Sequence, residues 1–379
     1  MARSYTYAAL RARARRRLPH MLFEYIDSGA NDEATLRANS GGFGNLRLKQ
    51  RVMRDMSRIT MTAALAGTGA ALPVALGPVG FAGMYARRGE VAAARAARRV
   101  GVPFCLSSVS VCDYAEVAGG SGAPPWFQLY MIRDRSFMRD LIDRVQAAGA
   151  TTLVFTVDMP LPGIRHRDSG SGLYDIGARG LLRQGWQALH RPEWLWHVYL
   201  RGKPHHFGNF AAAVEGARSF GDYWAWIREN FDTSTDWDDL GWVREMWRGK
   251  ILIKGVLTPE DAALAFDAGA DGIVVSNHGG RQLDGVRASI DALPAIAEAV
   301  GERGTVLMDG GVRSGLDVLK ALALGADGCL LGRPWAYALA AGGEDAVVAM
   351  LENMRAELRV AMTLTGCNDV REVGRALLD

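Results

Sequence analysis

Eight short apolar runs, each ending in glycine or a polar cluster, constrain this chain more than any other feature. They are LPVALGP (72–78), PFCLSS (103–108), WFQLYM (126–131), TTLVFTVD (151–158), ILIKG (251–255), GIVVSN (272–277), TVLMDGG (305–311) and GCLLGR (328–333). Runs this short suit strands buried on both faces, as in a parallel sheet. Between most of them lie alanine-rich amphipathic stretches such as GEVAAARAARRVG (89–101) and DVLKALALGA (317–326), the alternation expected of parallel βα units. Three helix-to-strand junctions share one pattern, Ala148-Gly149-Ala150, Ala268-Gly269-Ala270 and Leu324-Gly325-Ala326, with glycine placed for a left-handed helix stop. Eight such units imply an α/β fold of the TIM (β/α)8 barrel type. An open doubly wound sheet would want a G-x-G-x-x-G turn after an early strand, and the sequence has none.

The whole chain, 1–379, reads as a single domain: a mostly helical entry segment at about 1–60, a barrel at about 70–345 and a helical C-terminal segment at about 345–379. The long gap after the fourth strand, about 160–245, is an insertion in one βα loop, a size usually tied to function. With 49% hydrophobic and 22% charged residues the composition is globular, and a net charge of +3 is too small to suggest a nucleic-acid partner. Cys105, Cys112, Cys329 and Cys367 form no C-x-x-C pair and have no histidine at zinc-like spacing, so neither a disulfide framework nor a metal site is expected. A reducing cytoplasm fits that cysteine usage best. The basic run RARARRR (11–17) reads as a solvated helix face rather than a targeting segment. Residues 61–86 carry no charge but contain five glycines and two prolines, so a buried strand ending in a turn is expected there, not a membrane span.

A barrel of this kind carries its active site at the C-terminal ends of the strands. There the chain places Gly80, Ser107 and Ser108, Gln128 and Tyr130, Thr156 and Asp158, Lys254, His278 and Arg281, Asp309 to Arg313, and Gly332-Arg333. DGGVRSG opens a helix and LGR closes the last strand; their glycines and helix start, with Arg313 and Arg333, suit a phosphate group. Ser107, Gln128, Thr156 and Lys254 are polar residues in core strands, costly if unpaired, and a large planar polar ligand such as a flavin ring would satisfy them. The competing reading is internal pairing, with Lys254 bridging to Asp158 or Asp309.

At SNHGGRQLD (276–284), together with FEYIDSGANDEATLR (23–37), WFQLY and DGGVRSG, the sequence resembles the FMN-dependent α-hydroxy-acid dehydrogenases and oxidases. The resemblance covers essentially the whole chain. GPVGFAGMYARRGE (77–90), SSVSVC (107–112), LVFTVDMPLPG (153–163) and AMTLTG (361–366) are similar to the bacterial quinone-linked branch that oxidises L-lactate. It implies FMN held by Ser107, Gln128, Thr156, Lys254, Ser276, the turn Asp309, Gly310, Gly311 to Arg313, and Gly332-Arg333, with Gly80 beside the ring. It implies substrate held by Tyr25, Tyr130, Arg165 and Arg281.

On that basis His278 is the expected general base, Asp158 its orienting partner, and Arg165 and Arg281 the forks for a substrate carboxylate. Arg167, two residues beyond Arg165, competes for the same role, and alignment rather than chemistry chooses between them. Many oxidases of the family carry alanine at the place of Gly80, so a dehydrogenase is expected, with a quinone or other membrane acceptor. The insertion gathers Trp186, Trp194 and Trp196 with Arg183, Arg191, Arg201 and Lys203, a mixture suited to a membrane interface. Peripheral docking through 173–210 on the cytoplasmic face of the inner membrane is therefore expected. The resemblance also suggests a homotetramer. Alternatives are a dehydrogenase or oxidase for a mandelate-like or longer L-2-hydroxy acid, and a flavin-free phosphate-binding barrel lyase or isomerase.

Overall fold

The computed structural model describes residues 4–379 apart from 176, 212 and 215–219. Each of the eight apolar runs coincides with a strand, and at 251–255 the strand extends one residue beyond the run at each end. A small antiparallel hairpin, β1 (Ala63–Leu65) and β2 (Thr68–Ala70), comes first. It is followed by β3 (Val74–Leu76), β4 (Cys105–Ser107), β5 (Trp126–Leu129), β6 (Thr152–Thr156), β7 (Lys250–Val256), β8 (Gly272–Val275), β9 (Thr305–Met308) and β10 (Gly328–Leu331). These eight are parallel in the order β3-β10-β9-β8-β7-β6-β5-β4, and a parallel bridge from Leu76 to Phe104 joins the two ends. The sheet is therefore a barrel and not an open doubly wound layer.

Side chains alternate across a strand, so each barrel strand has an inner and an outer set. One inner residue per strand, Ala75, Cys105, Trp126, Val154, Leu252, Val274, Leu307 and Leu330, packs with Leu65, Ala66 and Ala70 of the hairpin into an apolar floor. Their neighbours, among them Leu153, Phe155, Ile251, Ile253 and Ile273, face outward into the larger core shared with the helices. Two positions further along, the same parity delivers Gly77, Ser107, Gln128, Thr156, Lys254, Ser276, Asp309 and Gly332. The level above the floor is thus polar or without side chain, and this level is the base of the site.

The junction glycines do what their spacing predicts: Gly149, Gly269 and Gly325 have φ of 95°, 98° and 101°, each just beyond a helix end. Three N-terminal helices, α1 (Tyr7–Arg17), α2 (His20–Asp27) and α3 (Ala34–Asn45), precede the barrel. Asp27 pins α2, accepting from Arg11 Nη2 at 2.7 Å, Arg167 Nη2 at 2.7 Å and Tyr337 Oη at 2.6 Å. Between β6 and β7 lie the helices His166–Ser171, Gly177–Leu189, Phe220–Asn230 and Trp237–Met246 with shorter turns. The C-terminal helical segment, Arg333–Thr365, breaks at Gly342-Gly343 and packs on α1 and on Gly89–Val100. Among the described residues no helix is long and apolar enough to cross a membrane.

Candidate active site

A cleft open to solvent lies over the C-terminal ends of the strands. Of the residues singled out in the sequence, Tyr25, Gly80, Ser107, Tyr130, Thr156, Arg165, Lys254, His278 and Arg281 line it, as do Asp309, Gly310, Gly311, Arg313, Gly332 and Arg333. Asp158, Gln128 and Ser276 stand just behind, each bonded to a lining residue.

His278 follows β8 in a left-handed conformation, φ 57°, and Gly279 and Gly280 continue it with φ of 66° and 74°. A non-glycine residue there costs about 1–3 kcal/mol unless its surroundings enforce it. Here the Ser276 Oγ accepts from the His278 N–H at 3.0 Å, and the buried Asn277 amide caps Gly280 N at 3.0 Å while pairing with Asn39. His278 Nδ1 lies 2.7 Å from Asp158 Oδ1. Burial pushes the imidazole below its ordinary pKa, and Lys254 adds to this, although Asp158 opposes both. Burial works to raise the Asp158 carboxyl, but the charges of His278 and Lys254 outweigh it and hold the group below its usual range. A carboxylate beside Nδ1 fixes that nitrogen as the donor and leaves Nε2 as the basic one.

Lys254 is an ion-pair partner of Asp309 at 3.3 Å and of Asp158 at 3.8 Å, and donates to Ser276 Oγ at 2.9 Å. Internal pairing is thus real. Yet it does not exhaust the polar level. Gln128 Oε1 accepts from Ser107 Oγ at 3.0 Å, while Gln128 Nε2, Thr156 Oγ1 and Asp309 Oδ1 are buried without a hydrogen-bond partner in the protein. Each such atom costs about 1–3 kcal/mol if nothing meets it. A hydroxyl and a carboxylate oxygen on residues lining the cleft, with an amide donor just behind, fit a planar heterocycle that both donates and accepts, as the FMN ring does.

At the other end the β9 turn supplies Gly310 and Gly311, with φ of 85° and 87°. A Cβ on Gly311 would sit 2.0 Å from the Asn39 carbonyl oxygen, so only glycine passes there. Ser314 and Asp317 form a capping box that starts the following helix. Arg313 stacks over the Tyr7 ring at 4.2 Å. The Arg333 fork donates to the carbonyls of Ile26, Gly279 and Ser28 at 2.9, 2.9 and 2.8 Å, so it also ties α2 to the His278 loop. This glycine turn, helix start and pair of guanidiniums suit the phosphate end of the same ligand.

Two further guanidiniums reach the cleft from two loops. Arg165, at the start of the helix His166–Ser171, is 6% exposed and donates through Nε to Asp168 Oδ2 at 2.6 Å. Burial disfavours its charge, but Tyr174, Asp168 and Tyr25 more than compensate and raise its pKa. Arg281 lies over the Tyr25 ring at 5.1 Å, and burial followed by the nearby Arg165 charge lowers its pKa. A partly desolvated Arg281 whose charge is disfavoured by burial and by Arg165 would be relieved by an anion between the two. Arg167 turns away to Glu24, Asp27 and Glu33, which resolves the choice between the neighbouring arginines in favour of Arg165 as the cleft residue.

The lining also holds residues that the sequence did not single out, including Tyr85, Met159, Trp224 and Ile227. Trp224 comes from the insertion helix Phe220–Asn230, and nothing in its neighbourhood signals that it returns to the barrel mouth. Ser28, by contrast, sits inside the quoted FEYIDSGANDEATLR (23–37), and Asp168 follows the candidate Arg165 by three residues. An acid three residues after an arginine at a helix start was the available signal.

On the insertion, Leu181, Leu182, Trp186, Leu189, Trp196 and Leu200 are exposed. Trp194 departs from the expected interface role: it is 5% exposed and its indole donates to the Met84 carbonyl at 2.7 Å, so it packs the insertion onto the barrel. The four cysteines are free and buried, and among the described residues no group of side chains could hold a metal.

Comparison with known proteins agrees with this geometry. An L-lactate dehydrogenase of Caulobacter vibrioides is 57% identical over 368 residues, 97% of this chain and 96% of that protein. One of Yersinia pestis is 53% identical over 365 residues, covering 96% and 95%. Among solved structures, the monotopic membrane protein (S)-mandelate dehydrogenase superposes with TM-score 0.93 at 32% identity, covering 100% of both chains. A mandelate oxidase gives TM-score 0.83 at 39% identity over 99% and 98%. The sequence model of the FMN-dependent dehydrogenases matches residues 14–379, and the chain belongs to that family.

Proposed function

We propose that the protein oxidises L-lactate to pyruvate and passes the electrons to a membrane quinone. The observation that carries the chemistry is the His278–Asp158 contact of 2.7 Å in the cleft that Arg165 and Arg281 also line. Bound FMN supplies the two-electron sink for such an oxidation. Ser107, Gln128, Thr156, Lys254, Ser276 and Asp309 would hold its ring beside Gly80, and Gly310, Gly311, Arg313, Gly332 and Arg333 its phosphate.

The chain's own residues do the rest. Arg165 and Arg281 grip the substrate carboxylate through their forked donors and fix its orientation. Tyr25 and Tyr130 supply hydroxyls beside it. His278 Nε2 accepts the proton released as the hydroxyl carbon becomes a carbonyl, and Asp158 holds the tautomer and stabilises the imidazolium that results. Burial favours the neutral form of His278, the form that a base requires. The identity to L-lactate dehydrogenases favours lactate, whereas the fold neighbours named for mandelate favour a bulkier substrate.

Membrane contact is supported by the exposed apolar face of Gly177–Leu189, with Leu182 74% and Trp186 66% exposed, and by the monotopic neighbour. We place the protein peripherally, on the cytoplasmic face, as one 1–379 domain assembled into a homotetramer. The test is an anaerobic spectrum of the purified protein before and after substrate. Bleaching of a flavin band by L-lactate at lower concentration than by (S)-mandelate is expected; bleaching by mandelate alone would reassign the substrate. A colourless, fully folded protein would end the proposal.

A further inference from the structure

Asp168 lines no part of the cleft, yet it touches what does. Its carboxylate is 1% exposed and accepts from Arg165 Nε at 2.6 Å and Tyr174 Oη at 3.3 Å through Oδ2, and from the Ser28 hydroxyl through Oδ1. Ser28 is completely buried at the end of α2, three residues beyond Tyr25. Its carbonyl accepts from Arg281 Nη1 at 2.9 Å and Arg333 Nη2 at 2.8 Å. One serine therefore meets the acid behind Arg165 on one side and the Arg281 fork on the other. These groups come from three elements far apart in the chain, and Ser28 and Asp168 are 140 residues apart.

We propose that Asp168, held by Ser28, is the positioning residue of the carboxylate grip. By taking Nε it fixes the plane of the Arg165 guanidinium, which lies over the rings of Tyr25 at 5.9 Å and Trp224 at 5.8 Å. Through Ser28 the same pair sets Arg281 relative to Arg165. A planar fork binds a carboxylate only in the right orientation, and misplacement by ~1 Å costs about 10²-fold. The opposite role is a plain counter-charge: Asp168 would then only offset two neighbouring cations, and its removal would make the cleft a better anion site. The two roles predict effects of opposite sign.

This inference rests on the reading of the substrate as a 2-hydroxy acid, and the experiment separates the two. Holoenzyme with Asp168→Asn, which keeps shape, and with Ser28→Ala, which keeps the carboxylate, is compared with the wild type. The readouts are FMN content, KM and kcat for L-lactate, and the Kd of oxalate, a planar dicarboxylate, from the flavin difference spectrum. FMN content should hold, KM and the oxalate Kd should rise roughly tenfold or more in Asp168→Asn and severalfold in Ser28→Ala, and kcat should fall less. Tighter or unchanged oxalate binding in Asp168→Asn overturns the positioning role. Should that variant fail to fold, wild-type oxalate binding in Ser28→Ala overturns it equally. If the wild type neither oxidises a 2-hydroxy acid nor binds oxalate, the functional reading itself fails.

Discussion

His278 brings together three physical demands on a single residue: a left-handed backbone, a half-buried ring and a charged neighbour. The left-handed turn aims the ring at the cleft, burial favours its neutral form, and Asp158 limits how far its basicity falls. Since the neutral ring is the working base, kcat/KM should fall as pH drops through its pKa. The inflection should lie below the ordinary ~6.5 of histidine. Asp158→Asn removes the charge that raises this pKa, so the inflection should move lower still, with slower turnover. His278→Ala should retain FMN and lose ~10²–10⁴ in kcat. A pH–rate profile breaking above 6.5, or near-normal turnover without the imidazole, would place the base elsewhere. The Asp158–His278 pairing was legible because both follow strand ends, which converge on one mouth of the barrel. The Ser28–Asp168 contact was not, because neither residue lies at a strand end, where the barrel topology would have brought the two together.

At the scale of elements, the strands were legible and the insertion was not. A strand buried on both faces writes itself as an apolar run, and glycine marks where its preceding helix stops. The insertion announces only its length and its aromatic and basic content, so which tryptophan packs and which faces outward awaited the structure. Gly177–Leu189 is amphipathic. Its inward face carries Gln184, donating to the Gly172 carbonyl at 2.9 Å, and Gln187, which accepts from Met21 N at 2.8 Å and donates to the Ser171 carbonyl at 2.9 Å. The outward face carries Leu181, Leu182, Trp186 and Leu189. Because the helix is seated by its amides, the outward face can change without disturbing the seat. Leu182→Ser with Trp186→Ser should therefore lower cosedimentation with phospholipid vesicles at least severalfold while dye-linked turnover in solution stays near wild type. Unchanged vesicle binding would move the docking surface off this helix.

For the whole molecule, the barrel is a stack of two levels with opposite chemistry. An apolar plug from the β1–β2 hairpin closes the bottom, whereas the polar level above it is left with unmet hydrogen-bonding atoms at Gln128, Thr156 and Asp309. A fold that tolerates such atoms is completed by what binds there, so cofactor binding and stability are linked. FMN at ~100 times its Kd should add about 2.7 kcal/mol, and at ~1,000 times about 4.1 kcal/mol. In chains of 150–250 residues ~1 kcal/mol moves Tm by about 2–4 °C, so a rise of several degrees is expected on reconstitution of stripped protein. Riboflavin offers the same ring without the phosphate. It should satisfy the polar level but leave the Gly310-Gly311 turn and Arg313 without their anion, and so raise Tm less than FMN at equal concentration. Thermal scans at one fixed rate decide the matter. Equal shifts from the two ligands would show that the turn after β9 holds no phosphate, and no shift from either would show that the polar level is satisfied in some other way.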